Sequence, residues 1–211
     1  MAVLLGALCL GGVPLWASAQ QSPPCESREI AYVLSGRLTI ADTAMSAGNG
    51  SHDVGPGRIV LRLRRRDGAP FARVQVTSYE LTEHFAVVAR ALLWNTRIET
   101  RAFVHAAAEG GVPVAEGSLA GHTATWTGKI RGFRIDGTLS CSGNWCGSFG
   151  APPAGDTPIG PPEAPFAFRP FEFAADWKTF TMAPTLVSSS PKQRSFLSLA
   201  GREVGQTCTD P

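Results

Sequence analysis

Residues 58–66, RIVLRLRRR, carry the pattern that decides the fold: Ile59, Leu61 and Leu63 fall on one face and Arg58, Arg62, Arg64 and Arg66 on the other. A period of two is the signature of a β-strand with one side buried. Asp67-Gly68 follows, and this dipeptide is a strong hairpin signal. A two-residue turn there pairs Leu63 with Ala72, Leu61 with Val74 and Ile59 with Val76. Apolar residues then meet apolar ones across the ladder, so turn chemistry and face assignment agree.

Working outward, residues 30–41 read as a strand with Gly36 marking a bulge or a close approach. Residues 42–57 read as a Gly-rich loop. Residues 79–105 alternate in their second half, which favours strands throughout, with a short helix over 82–93 as the alternative spacing. Further strands are expected at 112–119, 122–131 and 132–140. Residues 151–165 carry six prolines and are expected to leave the sheet as a surface loop or edge cover. Three more short, Phe-rich strands complete the chain. About ten strands at this spacing predict an all-β, mainly antiparallel domain, either a β-barrel or a two-sheet β-sandwich.

At the amino terminus, MAVLLGALCLGGVPLWASA lacks charge and ends in Ala17-Ser18-Ala19, the small-x-small pattern of a signal peptidase site. It predicts cleavage before Gln20, leaving residues 20–211 as one domain with no transmembrane segment, secreted or periplasmic. The apolar run is too short and too interrupted by Gly11, Gly12 and Pro14 to cross a bilayer. Removing Cys9 with this segment turns five cysteines into four. Four allow three pairings. Cys141 and Cys146 enclose only the turn-like Ser142-Gly143-Asn144-Trp145, which predicts Cys141–Cys146 and, by remainder, Cys25–Cys208. In the chain-entropy account the short loop contributes about 2 kcal/mol and the terminal clasp up to about 5 kcal/mol.

The formal charge is +2, with sixteen arginines against three lysines, a composition expected of a GC-rich bacterial genome. Such a balance gives no reason to expect a nucleic-acid partner. There is no G-x-S-x-G elbow, H-E-x-x-H helix, phosphate loop or EF-hand pattern. No cofactor and no metal site are expected. His52, His84, His105 and His122 are not paired on any one element. Asp42, Asn49 and Asp53 offer oxygens in the Gly-rich segment, at a spacing that matches no calcium loop.

Three places remain where a site is expected. Glu80 and His84 share a face if their segment is extended, an arrangement suited to acid/base work or to an ordinary solvated surface. Arg58, Arg62, Arg64, Arg66 and Arg73 line the basic face of the hairpin, with Arg73 placed opposite Arg62. Opposed like charges are unfavourable, so an anion, such as a glycan or lipid head group, is one way to relieve them, and carboxylates from neighbouring strands are the other. Trp145 is a candidate rigid aromatic contact held by its disulfide ring. These features together predict a secreted, non-catalytic binding or envelope-interaction module, its partner an anionic glycan, a lipid head group or an envelope protein. The alternatives are a closed barrel carrying a small ligand, and a hydrolase or isomerase using Glu80 and His84.

Overall fold

A computed structural model describes residues 25–42, 49–65, 69–91, 94–148, 151–159, 166–190 and 193–209. The expected signal segment, Arg66 and the Asp67-Gly68 turn lie outside the described residues. Eleven strands run in chain order as β1 (Ser27–Asp42), β2 (Gly50–Arg64), β3 (Arg73–Ala91), β4 (Trp94–Ala107), β5 (Ala115–Ala120) and β6 (Thr123–Thr127). They continue as β7 (Arg134–Gly143), β8 (Gly155–Pro158), β9 (Phe171–Phe173), β10 (Thr179–Ser190) and β11 (Gln193–Thr209). Every pairing between them is antiparallel. Eight close into a barrel in the order β2-β1-β11-β10-β9-β6-β5-β3, sealed by β2 against β3, while β4, β7 and β8 extend the sheet from β3. The expectation of an all-β barrel or sandwich is met by the barrel.

The two faces of the decisive segment are as read: Ile59, Leu61 and Leu63 are buried, and Arg58 and Arg64 are exposed. Its register is corrected. Leu63 pairs with Val74 and Leu61 with Val76, and a shift beyond Val60 sets Ile59 against Tyr79. The connection is therefore a longer loop over residues 65–72, closed by the Ala72 amide donating to the Arg64 carbonyl at 3.1 Å. The cause is Phe71. A two-residue turn would set it opposite Arg64 on the solvent face, whereas the longer loop lets it pack against the core. A slip of two residues keeps every side chain on its own face, so the burial pattern survives the change.

Other expectations change as well. Residues 82–91 are strand, continuing β3 in pairing with β4, so the helical alternative does not hold for them. The long run of β-branched and aromatic residues on β3 favours the pleated surface once β4 lies beside it. The Gly-rich segment is strand from Gly50 onward, because Val54 is drawn into the core opposite Gly36. Gly36 does mark a register shift, and a Cβ there would stand 2.7 Å from the Ser198 carbonyl, so the glycine permits β11 to approach. The proline-rich stretch supplies β8, an edge strand on β7 that ends at Pro158. An edge is where a proline costs a sheet least.

Aromatic rings fill the barrel. Phe171 stacks on Phe180 at 4.6 Å and meets Trp126 at 4.8 Å and Phe168 at 5.3 Å. Tyr32 stands edge-on to Phe180 at 5.1 Å and donates its hydroxyl to the Trp177 carbonyl at 2.8 Å. Tyr79 packs edge-on to Phe168 at 5.5 Å. Gly201 belongs to this set, since a Cβ there would overlap the Phe180 ring. Two cysteine pairs staple the fold, Cys25–Cys208 with Cα atoms 5.7 Å apart and Cys141–Cys146 with Cα atoms 5.8 Å apart, as the spacing predicted. Phe171→Ala removes a fully buried ring packed against Trp126, Phe168, Phe173 and Phe180, and its expected cost is about 3–5 kcal/mol. Urea unfolding measures this; Val204→Ala, at a 53% exposed position on β11, is the control and should stay within about 0.5 kcal/mol of the parent.

Candidate functional site

The β3–β4–β7 sheet has an outer face made of alternate residues, and this is where Glu80 and His84 lie, both exposed. Four residues of strand separate their Cα atoms by roughly 13 Å. They do not meet. Across the ladder Glu80 faces His105 and His84 faces Arg101. The ring of His84 instead reaches Glu99 on β4, with Nε2 2.9 Å from Oε1. Arg101 donates to the same carboxylate from Nε at 2.9 Å and Nη2 at 2.7 Å, and Arg97 from Nη2 at 3.3 Å. Hydrogen bonds from His84, Arg101 and Arg97 hold the Glu99 carboxyl down at about 2. A carboxylate so engaged is a poor proton acceptor. A second pair shares this face, His105 Nε2 at 2.9 Å from Asp136 Oδ2, beside Phe103, which is 40% exposed and stacked on His105 at 5.3 Å. No spacing in the sequence links His105 to Asp136, because β4 and β7 are joined only by the register of the folded sheet.

The hairpin arginines are not equivalent. Arg58 is exposed and lies opposite Glu80. Arg62 is claimed by Glu29 of β1, whose Oε1 accepts from Nε at 2.9 Å and Nη2 at 2.5 Å. With the corrected register, Arg73 stands opposite Arg64, not Arg62, and both are exposed. Two further arginines lie at this end of the barrel but share the inward parity of Leu61 and Leu63: Arg28 and Arg65 place their guanidinium carbons 5.4 Å and 5.5 Å from the centroid of the Phe71 ring. Arg66 lies outside the described residues.

Trp145 sits half-buried in the ring closed by Cys141 and Cys146, and its backbone amide donates to Thr96 Oγ1 on β4 at 3.0 Å. That bond ties the disulfide turn to the β3–β4 hairpin. Of the oxygen-bearing residues in the Gly-rich segment, Asp53 is taken by Arg37 at 3.2 Å, and the Asp42 side chain lies outside the described residues. Among the described residues, no three His, Cys, Asp or Glu side chains are gathered so as to hold a metal ion.

Glu83 differs from its neighbours Glu80 and His84 by facing inward. It lies half-buried opposite Ala102, four residues along the same side of β3 from Tyr79, whose buried hydroxyl has no partner among the described residues. Burial pushes the Glu83 carboxyl up to about 7. The tyrosine hydroxyl is pushed up by burial and then by Glu83. The odd position of Glu83 in an apolar run (Leu81, Phe85, Val87) is the signal in the sequence that marks it as inward.

Compared with protein-family models, with curated proteins and with solved structures, the chain finds no match in any of the three.

The raised Glu83 carboxyl fixes a pH dependence. The folded protein binds this proton more tightly than the unfolded chain, so the stability that Glu83 contributes is fully present below the ordinary carboxylate range and is lost as pH rises toward 7. A shift of this size corresponds to at most about 3 kcal/mol. Glu83→Gln should remove that decline, gaining on the parent between about pH 5 and about pH 8 in urea unfolding. Parallel stability profiles for parent and variant would show that the carboxyl is not desolvated.

Proposed function

We propose that this chain is an exported, non-catalytic binding module that recognises its partner on the outside of a filled barrel. One observation carries the reading: the space a carrier would reserve for a ligand is occupied by Tyr32, Tyr79, Phe168, Phe171, Phe173 and Phe180. Interiors packed with the protein's own rings leave recognition to the surface. The hydrolase alternative is weakened by the distance between Glu80 and His84 and by the binding of His84 to an already neutralised Glu99. Export is supported by the small-x-small end of the first nineteen residues and by two cysteine pairs, which persist in oxidising compartments.

Titration with 1-anilinonaphthalene-8-sulfonate and with a fluorescent fatty acid separates binder from carrier. The filled barrel predicts no saturable uptake of either. One molecule bound per chain, with quenching of tryptophan fluorescence, would establish the carrier reading in its place. Protein recovered from the periplasm or medium should begin at Gln20; an intact Met1 would remove the export premise.

A further inference from the structure

The seam that closes the barrel is laddered over only part of its length. Among the described residues β2 and β3 pair from Arg64 with Arg73 to Gly57 with Leu81, yet β2 reaches back to Gly50 beside β1, and β3 runs on to Ala91 beside β4. Burial on the inward face of β3 changes where the rungs stop. Tyr79 and Leu81 are fully buried, whereas Glu83, Phe85 and Val87 are half-buried. Across the unladdered stretch the ring of His52 on β2 stacks on Phe85 at 4.6 Å, with Val54 buried beside it. Glu83 lies between the last rung and that stack, on the inward face. From β4 it faces Ala102, flanked by Thr100 and Val104, and the inward residues of β1 and β11 at this level are Leu38, Leu197 and Leu199. The titratable side chains that share this face among the described residues are Tyr79 on β3 and His52 on β2, since Asp53 turns outward to Arg37.

We propose that the upper seam between β2 and β3 is a proton-controlled opening, closed while Glu83 is protonated and parted at the His52–Phe85 contact once Glu83 ionises. Burial is what raises this carboxyl to about 7, so ionising it in place would leave a charge in apolar surroundings. Parting the unladdered seam returns the carboxylate to water by breaking a ring contact and no rung, which costs less than unfolding the barrel. β1 and β4 keep hold of the two strands, and the rungs below Leu81 stay in place. The closed state binds the proton more tightly than the open one. The ratio of open to closed therefore rises as pH climbs from the ordinary carboxylate range toward 7, by at most about tenfold per pH unit, and levels off above it. This response does not depend on what the outer surface binds.

The test reads a thiol placed in the seam of the full folded chain, with both disulfides intact. Val54→Cys, buried beside the seam, and Leu38→Cys, opposite His52, are alkylated with iodoacetamide. Each rate is divided by that of the denatured chain at the same pH, which removes the thiol's own titration. Protection should fall between about pH 5 and about pH 7, by at most about tenfold per unit, and respond little to low urea. In the Glu83→Gln background it should no longer depend on pH. Val76→Cys, within the laddered part of the seam, is the control: its labelling should require global unfolding and so accelerate steeply with urea. Protection at both seam positions that ignores pH, that falls equally with Glu83→Gln, or that follows urea as steeply as Val76→Cys overturns the proposal. Protection lost on acidification instead would assign the motion to His52 and overturn it as well.

Discussion

Closure of β2 against β3 is the constraint on which the rest of the molecule depends. Leu61 and Leu63 of one strand meet Val76 and Val74 of the other, and this ladder joins what would otherwise be the two open edges of the barrel sheet. Closing a sheet removes its edges and fixes an inside, since alternate residues of every strand then face one enclosed space. The short strands β5, β6 and β9 make sense only in that setting. They contribute few ladder bonds of their own, yet Phe171, Phe173 and Ala124 complete the wall around Phe180 and Tyr32. A ring core of this kind supplies shape as well as area, because edge-on and stacked contacts each favour particular separations.

Much of the fold was legible because strand periodicity reports faces directly. The alternation at 58–66 identified the buried residues of β2, and the same reading placed Phe-rich strands near the carboxyl end. Register was not legible. A shift of two residues leaves every face unchanged, so the pattern that revealed the hairpin was silent about which residues pair across it. The decisive datum, the packing of Phe71 against the core, is a property of the closed barrel and not of the segment. The strand at Gly50–Gly57 was hidden for a related reason: its glycines and hydroxyl residues look like a loop until β1 offers them a ladder.

The candidate site shows the same division. Exposure of Glu80 and His84 follows from alternation, but the partners that matter, Glu99 for His84 and Asp136 for His105, come from other strands. The register also redistributes the arginines. Moving Arg73 from Arg62 to Arg64 leaves Arg62 to Glu29 and puts the like-charged pair at the very end of the ladder. Along the barrel wall, charge is sorted into cross-strand pairs such as Arg62 with Glu29 and Arg37 with Asp53.

Amide hydrogen exchange resolved by residue tests the role of the closing ladder most directly. If β2–β3 closure underlies the fold, the amides of Arg62 and Gln75, which face each other across this ladder, exchange only through global unfolding, as slowly as the slowest amides of β1 and β11. Faster exchange of these amides by local opening, while the β4–β7 ladder stays protected, would mean that the barrel opens along β2–β3 without losing its core, and would contradict the account.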